Sequence, residues 1–218
     1  MRRAIAEFIG TAAVTTAVIG SATMASSLTK DGAISLLINA ISTVSALFIS
    51  IVLFAKISGA HFNPAVSLVE LLGKRLSLND FFTYLTAQLL GALFGAGLAQ
   101  FLFEKPVLVI SDIERSGANI FISEIVASLG LVLIAIASWR KIKVTLRAAL
   151  LSLWIISAYF FTASTSFANP AVSFGRIFTD SPAGISPSSI ALFVPAQLIG
   201  GLLALLLANY LTKQSRES

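Results

Sequence analysis

Two asparagines carry the most specific chemistry in this chain. Asn63 opens the pentapeptide Asn-Pro-Ala-Val-Ser, and Asn169 opens the same five residues again. Asn is a favoured helix N-cap, because its side-chain oxygen accepts a bond from an orphan N–H of the first turn. Pro64 and Pro170 suit the first helical position, where the missing N–H costs nothing. Each asparagine used this way keeps an NH₂ group beside the positive end of a helix dipole. Ala65 and Ala171 complete the two tripeptides. The segment after each is short, about ten residues, before Gly73-Lys74-Arg75 in one case and Thr179-Asp180-Ser181-Pro182 in the other. Ten helical residues span roughly 15 Å, half of a hydrocarbon core about 30 Å thick. Each motif is therefore expected to open a half-helix that starts at the middle of a bilayer and runs out to one face.

The other candidates are few. Glu7 and Glu124 each sit within a long apolar run, where an ionisable group is usually functional. One reading is a proton or ion relay; the favoured one has them accepting bonds from backbone N–H groups of the half-helix loops. His61, two residues before Asn63, is the only histidine. It can gate by protonation, with an unperturbed pKa of about 6.5, or simply pack and hydrogen-bond in the loop, which is the favoured role. A single histidine and no cysteine leave no metal site or disulfide, and no cofactor is expected. Without clustered carboxylates there is also no set of groups for an enzyme.

The remaining sequence is built to hold these groups in lipid. Of the 218 residues, 56% are hydrophobic and 11% charged, with a mean hydropathy of +0.91. Long apolar runs without polar alternation read as helices rather than barrel strands. Full spans are expected over about 4–28, 34–56, 80–103, 120–139, 148–162 and 190–211, with the half-helices after the second and fifth. Glu7 and the length of the first run argue against a cleaved signal peptide. The stretch 104–119 is the most polar in the interior and reads as a linker. The expectation is one all-α membrane domain, 1–218, made of two repeats at about 1–105 and 119–218.

The net charge of +5 does not point to nucleic acid, because the basic residues lie at the ends of the apolar runs. With both termini inside, Arg2, Arg3, Lys56, Lys74, Arg75, Arg140, Lys141, Lys143, Arg147, Lys213 and Arg216 fall on the cytoplasmic side. Only Lys30, Lys105, Arg115 and Arg176 fall outside, as the positive-inside rule expects of an inner (plasma) membrane protein. The halves echo each other beyond the pentapeptide, most closely in Ala87-Gln88-Leu89-Leu90-Gly91 and Ala196-Gln197-Leu198-Ile199-Gly200. Three crossings per half invert the second repeat relative to the first. The two half-helix N-termini then meet near the centre, Asn63 against Asn169, around a pore.

These pieces resemble the aquaporin and aquaglyceroporin (major intrinsic protein) family over essentially the whole chain. The matching residues include Ala6-Glu7-Phe8-Ile9-Gly10-Thr11, Ser58 to Val66, Ala87 to Ala92, and Asn169-Pro170-Ala171 with Ser173-Phe174-Gly175. The resemblance implies a homotetramer with one pore per subunit, passing small uncharged solutes passively. It also implies a selectivity ring at Thr43, Ser157, Ser166 and Val172, counted from the two asparagines by the family's spacing. The family usually has Arg where this chain has Val172. Four small residues there predict a wide, uncharged filter, open to glycerol, water and neutral metalloid hydroxides such as arsenous acid, the type of channel linked to arsenic resistance.

Arg176 lies one turn beyond Val172 on the same helix face. It is read as a headgroup anchor or partner of Asp180 in preference to a replacement for the missing Arg reaching into the vestibule. Phe167 is close enough to reach the lumen but reads first as a packing aromatic. Two rival functions remain at this level: a secondary transporter of inverted-repeat type, for which Glu7 and Glu124 are the candidate ion groups, and a water-selective pore.

Overall fold

The computed structural model describes residues 1–137 and 142–217. Its helices run α1 Arg2–Leu28, α2 Gly32–Ser58, α3 Pro64–Leu72, α4 Leu78–Leu102, α5 Ala118–Ala137, α6 Val144–Phe161, α7 Pro170–Gly175 and α8 Pro187–Glu217. Among the described residues, six of these are long and apolar enough to cross a membrane, all but α3 and α7. Observed ends differ from the expected ones by a few residues. Trp139, Arg140 and Lys141 lie outside the described residues.

Local chemistry explains the boundaries. Asp31 caps α2 by accepting from the Ala33 and Ile34 amides, and α2 stops at Gly59, whose φ of 92° suits glycine. Ser77 caps α4 through the Asp80 amide. The helices pair closely where side chains are small. A Cβ on Gly91 would collide with the Phe8 carbonyl of α1, and one on Gly200 with the Ile125 carbonyl of α5. These two contacts let α4 lie against α1 and α8 against α5, at matching places in the two halves. Large apolar side chains such as Leu53, Phe94, Leu153 and Leu206 remain exposed. On a protein in water they would be a liability; against acyl chains they are the expected surface.

The short helices α3 and α7 lie inside this frame. Pro64, Ala65, Val66 and Val69 of α3 are buried, as are Pro170, Ala171, Val172 and Ser173 of α7. Beyond α7 the chain makes one turn of 3₁₀ helix over Arg176–Phe178. The stretch after α4 does more than link two halves. The Ser111 amide donates to the Ile177 carbonyl at 2.7 Å, and the Ser186 amide donates to the Ile113 carbonyl at 2.8 Å. Residues 111–115 are thereby laced to the segment beyond α7.

Candidate functional site

The two loops preceding α3 and α7 are held by matching clamps. Glu7 Oε1 accepts from the Ser58 hydroxyl at 2.6 Å and the His61 amide at 3.0 Å. Its Oε2 accepts from the Phe62 amide at 2.7 Å and Gln88 Nε2 at 2.8 Å. Glu124 does the same for the second loop, accepting from Ser164, the amides of Phe167 and Ala168, and Gln197. Both carboxylates are fully buried. With four donors each, they satisfy backbone N–H groups that lipid cannot. The loops need this support because Ala60, Phe62, Thr165, Ser166 and Ala168 all adopt positive φ without being glycine.

The clamps bring the asparagines together. Asn63 Oδ1 accepts from the Ala65 amide at 2.9 Å, and Asn169 Oδ1 from Ala171 at 3.0 Å. Each Nδ2 then crosses to the opposite loop: Asn63 donates to the Ala168 carbonyl at 2.7 Å and Asn169 to the Phe62 carbonyl at 2.8 Å. One donor of each NH₂ group is thus used to tie the loops, and only the second is left for a solute. Capping alone, as read from the sequence, leaves both free.

A cavity of about 60 Å³ runs past both asparagines. A water needs about 10–15 Å³ of such space, so the cavity is a narrow file with room for a few waters. Much of its lining is apolar, including Val14, Val18, Leu47, Ile51, Val66 and Leu131. Polar groups are interspersed with them: Thr43 shares a face of α2 with Leu47 and Ile51, Tyr159 shares one of α6 with Ile155, and Ser166, His61, the two asparagines and Arg176 complete the lining. No carboxylate is among its described lining residues.

The structure corrects two expectations about the ring. Ser157 is exposed on α6 and does not line the cavity. The residue of α6 that does so at this level is Tyr159, whose hydroxyl donates to Thr43 Oγ1 at 3.2 Å. The inward positions of α6 are Ala148, Leu151, Ser152, Ile155, Ala158 and Tyr159. They keep helical spacing, and Ser157 falls on the opposite face. That phase is legible in the sequence, whereas counting back from Asn169 ignores it. The ring is therefore not made of four small side chains.

Nor is it uncharged. Arg176 is 4% exposed, so it is neither a headgroup anchor nor a partner of Asp180, which lies exposed. Its Nε donates to the Ala183 carbonyl, and its guanidinium carbon stands 3.2 Å from the centre of the Phe167 ring. That stacking orients Phe167, which also packs on Phe193 with centroids 4.8 Å apart. Val172 lines the same cavity, four residues back. Arg176 thus takes up the space beyond a valine, held there by a carbonyl from the returning loop.

Three further residues have roles that the sequence does not announce. Arg147, expected as a loop cation, is 7% exposed and its Nη2 donates to the Gly59 carbonyl at 3.0 Å, bracing the first loop. Asn39 is buried and ties α2 to α1 through the Val18 carbonyl at 2.7 Å. Arg115, in the linker, donates to the carbonyls of Gly184 and Pro182 at 2.9 Å each. His61 shares a hydrogen bond with Ser67 at 2.9 Å and packs edge-on against Tyr84.

A family model described as major intrinsic protein matches residues 1–166. The chain belongs to the major intrinsic protein family. It is a multi-pass membrane channel for small solutes and not an enzyme. It is 43% identical over 215 residues to aquaglyceroporin AqpS of Rhizobium meliloti, covering 99% of this chain and 92% of that relative. It is 32% identical over 213 residues to aquaporin TIP2-3 of Arabidopsis thaliana, covering 92% of this chain and 83% of that one. Among solved structures, the aquaglyceroporin from Plasmodium falciparum superposes with a TM-score of 0.77 at 23% identity, covering 94% of this chain and 93% of that one. That likeness speaks for the fold.

Proposed function

We propose that this channel passes glycerol, neutral metalloid hydroxides such as arsenous acid, and water, selected at a ring of Thr43, Tyr159, Ser166 and Val172 with Arg176 standing over it. The mixed polar and apolar lining, with no carboxylate among its described residues, carries this reading. A polyol or trihydroxide entering the file exchanges water for the donors and acceptors of the polar lining groups. Its carbon or metalloid part lies against the valines and leucines between them. Pore diameter, lining donors and electrostatic barriers set selectivity in such channels, and each is represented here by a named residue.

The absence of any carboxylate from the described lining favours a passive pore over ion-coupled transport. Glu7 and Glu124 are fully engaged in holding loops, which leaves no coupling group. Proton exclusion arises from two half-helix N-termini, each equivalent to about half a positive charge, facing one midpoint. The free Asn63 and Asn169 donors orient a passing water by its oxygen and interrupt a relay.

The wider arrangement is part of the same proposal. The chain is one channel domain of two inverted repeats, assembled as a homotetramer in the inner (plasma) membrane, with both termini in the cytoplasm. Arg176 then guards the outer mouth and Lys74 and Arg75 flank the inner one. The narrowness of the file favours a second reading, a pore for water alone. Stopped-flow volume changes of reconstituted vesicles separate the two. Glycerol and arsenous acid flux above protein-free vesicles supports the wider substrate range, and water flux without either overturns it.

A further inference from the structure

Above the narrow file lies a second cavity of about 400 Å³. Arg176 is the one described residue that lines both. Lys30 and Arg115 also face this vestibule, and no Asp or Glu is among its described lining residues. Three cations around a chamber with no carboxylate in its described lining form a field that concentrates anions.

The chamber has a built contact as well as a field. Arg176 is withdrawn from solvent, with 4% exposure, yet Nε is its one side-chain atom with a hydrogen-bond partner among the described residues. Its two terminal nitrogens carry four N–H donors in a planar fork, the geometry that matches an oxyanion. The carbonyl of Ala183 and the Phe167 ring fix that fork in place. Arg115 is fixed nearby, its guanidinium carbon 5.3 Å from the centre of the same ring. Lys30 lies at the rim.

We infer that this vestibule is a binding site for a small oxyanion, a carboxylate, sulfonate or phosphate, which seats on Arg176 and closes the file to neutral solutes. An anion there occupies the donors that a neutral solute must pass. The narrow file beneath, with much of its lining apolar, replaces only part of a charged group's water shell. The ligand is therefore held at the mouth and not conducted. The binding claim stands apart from the solute range proposed above; the claim of block rests on it.

The test uses methanesulfonate, which stays charged at neutral pH and does not cross lipid. Isothermal titration of the purified full-length channel is expected to show saturable binding that weakens as chloride is raised. Arg176→Gln is expected to weaken it about ten-fold and Lys30→Gln a few-fold, as losses of a charge-assisted contact and of a rim charge warrant. In phosphatidylcholine vesicles, methanesulfonate outside is expected to slow glycerol flux at matched ionic strength. Lys30→Gln is expected to shift the inhibition curve to higher methanesulfonate, read relative to that variant's own uninhibited flux. No heat of binding, or binding indifferent to both variants, overturns the site. Binding without slowed flux, in vesicles that do conduct glycerol, overturns the block.

Discussion

The loop before α3 and the loop before α7 are built alike and end differently. Each is gripped by a buried glutamate that accepts two backbone amides, a serine hydroxyl and a glutamine amide. Each starts its helix with Asn-Pro, and each asparagine donates across to the other loop. Beyond that shared frame the mouths diverge. The first offers His61, packed against Tyr84 and bonded to Ser67. The second offers Arg176, with Arg115 and Lys30 above it. The frame sets where a solute must thread. On the function proposed above, discrimination rests on the few positions where one loop has what the other lacks.

Removing either clamp is the severest way to break this likeness. Glu124→Ala leaves the amides of Phe167 and Ala168 unpaired in a dry site and takes one of two partners from Gln197, which keeps Ser173. The expected loss is about 1–3 kcal/mol for each orphaned amide, with thermal unfolding in detergent lowered and flux abolished. Glu7→Ala should match it in size, by the equivalence of the two sets of bonds. A mild effect at one glutamate and a severe one at the other would show that the loops are not held alike.

Next in size is the width of the second mouth. Tyr159→Ala removes the largest side chain of the ring and its bond to Thr43. Glycerol flux should rise several-fold and four-carbon polyols should enter, on the diameter argument. Ser157→Trp, on the exposed face of α6, should change neither. Val172→Arg puts a second guanidinium in the file beside Arg176, and like charge with added bulk should lower glycerol flux about ten-fold. Vesicle swelling assays read all three.

The smallest effect concerns the linker that roofs the second mouth. Glu114 accepts from the hydroxyls of Ser188 and Ser189 at 2.7 and 3.0 Å. Donation from Ser188 first, then Ser186 and Ser189, holds its carboxyl below the usual carboxylate range. A lowered folded-state pKa means the tie is fully present above the ordinary value and is lost as pH falls through the depressed one. Amide exchange at Arg115, whose N–H donates to Ser189, should lose protection in that acid range and not at neutral pH. Glu114→Gln should abolish the pH dependence. The first mouth has no such roof among the described residues and should show no acid step of its own there.

Much of this architecture is legible in the sequence, and the misses have a common cause. Long apolar runs dictate spanning helices because lipid offers backbone groups no partner. Asn-Pro twice over dictates two capped half-helices. Placing side chains around the lumen is where sequence reasoning fails. Counting along the chain selects Ser157, although the phase of α6 puts Tyr159 on the inner face. Helix neighbours alone, Val172 and Asp180, send Arg176 outward. Its position depends on the Ala183 carbonyl and the Phe167 ring, brought in by a loop whose path one segment does not encode. Charge alone assigns Arg147 to a loop, while its partner, the Gly59 carbonyl, comes from the other half of the chain.

The central claim is that Arg176 supplies the lumen cation that Val172 does not. The ratio of glycerol to water permeability, measured by stopped-flow on vesicles carrying the unaltered chain or Arg176→Gln, tests it most directly. The expected result is a several-fold change in that ratio at undiminished folded protein. An identical ratio in the two would contradict the account.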